Sequence, residues 1–289
     1  MLRLRRILVG VDFSPAAERA CALAAAIAVR TGAELLLLHA VDSTLAEAAL
    51  ADGLDLKADA LHLVRASETD GVRVHAHVIE GPASRVIVDF ALREQADLLV
   101  LGSRGLGDDD WPALGATTET VLRCTTIPML AVPANWVAPP AEGPGRPGVG
   151  PLVAGLDMTC PAIDASLAAC QLAGLIGTSA TLLHAVPPPQ TAARWRRHAD
   201  RAAHLILERT TRDLDRVVAA IRAQTRADVT FRIVQGPVAR VLTDAARATP
   251  GSILVLGRGS RAEEYGPPGS IVSRVLTAGQ VPVLIHVTA

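Results

Sequence analysis

The sequence predicts an α/β protein in which one unit, an open parallel sheet with helices on both faces, occurs twice. Two observations carry this. Four blocks recur in the same order along the 289 residues. Within a copy, short apolar runs alternate with stretches of helical spacing. Ile7-Leu8-Val9-Gly10-Val11-Asp12 returns as Leu152-Val153-Ala154-Gly155-Leu156-Asp157. Leu36-Leu37-Leu38-His39-Ala40-Val41 returns as Thr181-Leu182-Leu183-His184-Ala185-Val186, both at an offset of 145 residues. Glu80-Gly81-Pro82-Ala83 then matches Gln235-Gly236-Pro237-Val238, and Leu99–Gly102 matches Leu254–Gly257, at an offset of 155. The growth in offset places an insertion in the second copy, in the Arg-rich stretch from Arg194 to Arg226.

Taken in order, copy one opens with a strand at Ile7–Val11. Ser14-Pro15 is a helix start, an N-cap followed by a proline preset for the first turn, and Gly32 is the stop after Thr31. Strand Ala33–Val41 follows, then helical spacing over roughly Leu45–Thr69, strand Val72–Ile79 and helix Ala83–Gln95. Asp97–Gly102 reads as the fourth strand, Thr117–Cys124 as a helix and Met129–Val132 as the fifth strand. The strands are continuous apolar runs, as expected when both faces are covered. Strand–helix alternation implies right-handed crossovers and hence a parallel sheet. Pro139-Pro140 and the Pro/Gly run to Gly148 read as a linker. The expected division is therefore residues 1–137, a linker at 138–150, and residues 151–289.

Composition narrows the function. A formal net charge of −1 argues against an electrostatic nucleic-acid binder. The N-terminal apolar run ends at Asp12, too short for a signal core or membrane span, so the expectation is a cytoplasmic protein. Cys21, Cys124, Cys160 and Cys170 lack metal-ligand spacing and read as buried reduced thiols. The sole lysine, Lys57, is remote from any glycine loop, which excludes a P-loop. No G-x-S-x-G elbow occurs, and no dinucleotide fingerprint follows the first strand. His75 and His77 share a strand face with no third ligand in view, so the pair reads as the half-exposed face of a strand rather than a metal site. His39 and His184 occupy equivalent strand ends, which points to a shared structural role.

Chemistry is expected at the carboxyl ends of the strands. Gly102-Ser103-Arg104-Gly105, then nine residues, then Gly115-Ala116-Thr117-Thr118 follows strand four. Glycines allow close backbone approach to a phosphate, a helix start offers free N–H groups, and Thr118 adds a hydroxyl. A plain strand-to-helix turn is the alternative. Asp109-Asp110-Trp111 recurs as Glu263-Glu264-Tyr265. These acids read as a solvated tip, as Mg²⁺ ligands beside a triphosphate, or as charges repelling bare phosphates.

The spacing G-2x-G-9x-G after an apolar strand, the closing Ile127-Pro128-Met129-Leu130-Ala131-Val132, the opening Val11-Asp12-Phe13-Ser14-Pro15 and the L-L-L-H-A-V strand together resemble the universal stress protein family. The resemblance covers both copies and implies a tandem: two Rossmann-like five-stranded parallel sheets paired through their last strands as a pseudo-two-fold pair. A homodimer of the tandem chain would extend that pairing. In nucleotide-binding members an Asp after strand one and a residue after strand two hold adenosine, and the glycine loop holds phosphates. Carried over, the residues are Asp12, Val41, Gly102, Gly105, Gly115 and Thr118 in copy one. In copy two they are Asp157, Val186, Gly257, Gly259, Gly269 and Ser270. Copy one has Ala116 where the family has Ser or Thr. Copy two is one residue shorter before its second glycine but has Ser270. The implied function is a stress-associated bacterial regulator that binds ATP, with or without Mg²⁺, and turns it over little or not at all. A non-nucleotide member acting on partner proteins and a slow ATPase remain the alternatives.

Overall fold

The computed structural model describes residues 3–44, 47, 51–63, 71–105, 114–141, 148–187, 210–258 and 270–288. The first half contains strands β1 (Arg6–Gly10), β2 (Glu34–Val41), β3 (Val74–Glu80), β4 (Leu98–Gly102) and β5 (Met129–Val132). They are joined through helices α1 (Pro15–Thr31), α2 (Leu56–His62), α3 (Ala83–Arg93) and α4 (Ala116–Cys124). The second half repeats the plan with β6 (Leu152–Gly155), β7 (Ala180–Val186), β8 (Val229–Gln235), β9 (Ile253–Arg258) and β10 (Val283–Val287). Its helices are α5 (Cys160–Ile176), α6 over 210–222, α7 (Val238–Arg247) and α8 (Ser270–Ala278).

All ten strands join one sheet in the order β3-β2-β1-β4-β5-β10-β9-β6-β7-β8. Every pairing is parallel except β5 with β10. That junction is self-complementary. Leu130 faces Leu284, its counterpart two residues after the equivalent proline, while Ala131 faces Val283 and Met129 faces Ile285. Equivalent residues meeting at one point mark a pseudo-two-fold axis, the internal counterpart of a homodimer interface. Both apolar strands would otherwise be exposed sheet edges, so their pairing removes two hazards at once.

Alternation along the strands feeds two layers. Ile7, Val9, Leu35 and Leu37 pack on the face covered by α1, α5 and α6; Leu8, Leu36, Leu38 and Leu99 pack under α3, α4, α7 and α8. Leu214, Val218 and Ile221 give α6 a buried stripe, with its charged residues outward. Alanines Ala20, Ala24 and Ala28 are wholly buried in α1, which packs on the sheet and, across the axis, on α5. The Ser14 hydroxyl accepts from the Ala17 N–H (3.2 Å), and Gly32 closes α1 at φ 72°. Gly177 does the same for α5 at φ 75°.

Strand β3 is half-buried, as the pair His75 and His77 implies and unlike strands covered on both faces, because it is an outer edge of the sheet. His75 Nε2 accordingly pairs with Glu34 (2.9 Å), while the His77 ring lies 4.8 Å from that of Phe90. Of the four thiols expected to be buried, Cys21 and Cys170 are, Cys124 is half-buried, and Cys160 is exposed at the first residue of α5. Of the Pro/Gly segment, the described residues meet the second half at Gly251, where a Cβ would lie 2.5 Å from Pro139 Cδ, and meet each other where one on Gly148 would strike the Pro140 carbonyl.

Candidate functional site

Strand β1 lies between β2 and β4, so the chain leaves neighbouring strand ends toward opposite faces and a crevice opens between them. It is a cleft of about 390 Å³, within the size range of small-molecule sites. Leu38, Ile87 and Leu101 form apolar walls, Asp12 supplies charge, and Arg104 contributes main chain, its carbonyl facing the Ser14 hydroxyl.

Asp12 sits in the turn from β1 to α1, where its Oδ1 accepts from the Ser14 N–H (3.1 Å) and hydroxyl (2.6 Å). That turn needs Phe13 in the left-handed region at φ 61°. The Phe13 ring rests 4.9 Å from His39, whose Nδ1 donates to the Val11 carbonyl (2.7 Å). His184 donates likewise to the Leu156 carbonyl (2.8 Å), so this histidine ties strand two to the end of strand one in both halves.

The glycines divide into two roles. A Cβ on Gly102 would lie 2.9 Å from Ala16 Cβ and 3.0 Å from the Ala17 nitrogen, so this glycine lets α1 cross the end of β4. A Cβ on Gly105 would instead lie 2.5 Å from Asp12 Oδ2, inside the cleft. The Gly115 N–H donates to the Ser103 carbonyl (2.8 Å), and a Cβ there would lie 3.2 Å from Arg104 Cα. Ser103, Arg104 and Gly105 thereby lie against the start of α4. Thr118 is buried, and its hydroxyl donates to the Gly102 carbonyl (2.8 Å), fastening α4 to β4.

The two helix starts at this cleft differ. Ser14 caps α1 with its side chain, whereas α4 begins at Gly115 with no side-chain cap among the described residues. Ala116, Thr117 and Thr118 line the cleft, so the positive end of α4 opens onto it. Asp12, Gly102, Gly105, Gly115 and Thr118 are thus gathered in one place. Val41 is buried beside it, its carbonyl accepting from the Gly81 N–H (3.0 Å); Ala40, one residue earlier and on the other face, is the wall.

A second cleft of about 430 Å³ occupies the equivalent place and includes Asp157 and Gly257. Asp157 Oδ1 accepts from the Thr159 N–H (2.8 Å) and hydroxyl, as Asp12 does from Ser14. Gly257 has the packing role of Gly102: a Cβ would strike the Pro161 carbonyl of α5. Ala185 lines this cleft, while Val186 does not. Gly259, Gly269, the Ser270 side chain and both acid–acid–aromatic stretches lie outside the described residues.

Arg104 is the cleft residue that sequence reasoning left without a role. The walls from α3 and α7 were signalled by the recurring Gly81-Pro82 and Gly236-Pro237, since each pair delivers a helix start, Ala83 or Val238, to its cleft.

Residues 3–133 match the model of the universal stress protein family. A universal stress protein of Thermus aquaticus is 34% identical over 134 residues, which are 44% of this chain and 98% of that protein. The chain belongs to the universal stress protein family. A universal stress protein of Mycobacterium tuberculosis is 33% identical over 133 residues, 43% of this chain and 44% of that protein's length. In fold, a universal stress protein from Archaeoglobus fulgidus superposes with a TM-score of 0.68 at 15% identity, each chain covered to 98%. A functionally unknown protein from Pseudomonas aeruginosa PAO1 gives 0.65 at 18% identity, covering 98% of this chain and 92% of that one. Both extend over the two halves, so the tandem is a universal stress protein fold built twice.

Proposed function

We propose that this tandem universal stress protein is a cytoplasmic, stress-associated regulator that binds ATP or a related adenine nucleotide in its first cleft, with little or no turnover. The observation that carries this reading is the start of α4 at Gly115, without a side-chain cap among the described residues, folded against Gly105 and opening with Asp12 onto one apolar-walled cleft. Free N–H groups and the helix dipole suit phosphate oxygens. The walls formed by Leu38, Ile87 and Leu101 suit a base, and Asp12 Oδ2 is left to accept from a ribose hydroxyl. The described residues fit the nucleotide better than its cation: they contain no cluster of three potential metal ligands, and the pairs Asp109-Asp110 and Glu263-Glu264 lie outside them. Among the described lining residues of the first cleft Asp12 is the one carboxylate, and its Oδ1 is occupied by Ser14, which favours binding over hydrolysis. Cleft one is the preferred site because both correctly spaced early glycines, Gly102 and Gly105, converge there.

The test is to denature protein purified from its producing cells, identify the released small molecules by mass, and titrate ATP, ADP and adenosine into nucleotide-free protein by calorimetry. Binding of ATP at micromolar concentration supports the reading. Absence of both copurifying nucleotide and calorimetric binding overturns it in favour of a family member acting on proteins.

A further inference from the structure

Residues of each half reach across the pseudo-two-fold axis to the helix that opens the other half's cleft. Arg258 is the last residue of β9 and follows Gly257, which lines cleft two. Its guanidinium lies at the far end of α4: Nη1 donates to the carbonyls of Leu122 (3.1 Å) and Thr125 (2.8 Å), and Nη2 to that of Arg123 (3.0 Å). These are carbonyls that the helix itself leaves unpaired, at the negative end of its dipole. Reciprocally, Arg104 of cleft one lies beside the C-terminal turn of α8: its Nη2 is 3.7 Å from where a Cβ on Gly279 would be. The far end of α4 is thus tied to the second half, and its near end forms the phosphate side of cleft one.

We infer that Arg258 is a positioning residue for the first cleft, so that the second half of the chain holds the phosphate end of the first half's site. The inference rests on the nucleotide reading above and adds to it a dependence that neither half has alone. Three hydrogen bonds from one rigid, permanently charged fork fix both the axis and the last turn of a nine-residue helix. Loosening that end lets the start of α4 drift from Gly105 and the Ser103 carbonyl, which weakens contacts to phosphates and leaves the walls around the base in place.

The experiment compares the full chain with its Arg258→Ala and Arg258→Lys variants in calorimetric titrations of ATP and of adenosine. Amide hydrogen exchange over 116–124 is measured on the ligand-free proteins. Arg258→Ala should weaken ATP by roughly three- to tenfold, the scale of a cation at a helix C-terminus, and leave adenosine within about twofold by the same argument. Arg258→Lys, which keeps the charge but not the fork, should fall between. Exchange in α4 should quicken in the Ala variant. Equal ATP affinity in all three proteins overturns the inference, and so does a parallel loss of ATP and adenosine, which would mean general damage. If the unaltered protein binds neither ligand, it is the nucleotide reading that fails. Exchange in α4 then decides for Arg258 separately, and unchanged protection overturns its role.

Discussion

Exchanging Gly105 for Ala separates the ligand-facing glycine from the packing glycine. The added methyl would lie 2.5 Å from Asp12 Oδ2, about 0.9 Å inside the 3.4 Å at which ordinary contact begins. Its next neighbour is Asp12 Cγ at 3.8 Å, so the strain falls on one carboxylate that can swing. Swinging misplaces Oδ2 for a ligand and strains the Oδ1 bonds to Ser14. Losing one hydrogen bond to a charged group costs about 1.5–3 kcal/mol, hence a roughly ten- to hundredfold loss of ATP affinity. Stability should change by less than about 1 kcal/mol, a Tm shift under about 4 °C. Gly102→Ala should behave in the opposite way. Its methyl would press on α1 backbone at 3.0 Å, an overpacking cost of about 1–3 kcal/mol and a Tm loss of about 2–12 °C. Calorimetric titration and thermal denaturation of both variants give the answer. A Gly105→Ala protein that binds ATP normally, or that melts as early as Gly102→Ala, refutes the division of roles.

Replacing Asp109 and Asp110 together with Asn should leave ATP affinity unchanged or raise it, more at low salt, because exposed charges act over the Debye length; a loss confined to titrations with Mg²⁺ would make these acids metal ligands. In the native protein Cys160 should react with a thiol reagent at once and Cys21 and Cys170 only on unfolding, since burial pushes both of these thiols up to about 12. The unfolded chain releases those protons first, so stability should fall as pH rises from about 9 toward 12, followed as Tm against pH. His77 and His286 are shifted the other way, chiefly by burial, so below pH 6.5 the unfolded chain takes up protons first and stability should fall with falling pH. His286→Gln should flatten that acid limb of the Tm profile, and an unchanged limb would remove His286 from the account.

Much of this protein was legible as one-dimensional pattern. Duplication, strand–helix alternation and the Ser14-Pro15 and Gly32 helix boundaries depend on local sterics and on repeated spacing, which the chain displays directly. The loop that carries Gly102, Gly105 and Gly115 was visible for the same reason. Their separate roles were not, because a glycine required by α1 and a glycine required beside Asp12 look alike until the neighbouring backbone is in place. His75 and His77 mark a half-exposed face on β3, but its position at the outer edge follows from strand order, a long-range property. Val41 is named by the family resemblance, whereas which side chain at the end of β2 lines the cleft, Ala40, depends on the packed strand. Cys160 read as an ordinary buried thiol, and only the exposed first turn of α5 placed it in solvent. The repeat, the sheet class and the place of the clefts are legible from the chain alone. The tertiary structure alone decided that Arg258 ends at the carbonyls of α4, because residues more than 130 positions apart meet only when β5 and β10 close the two sheets into one.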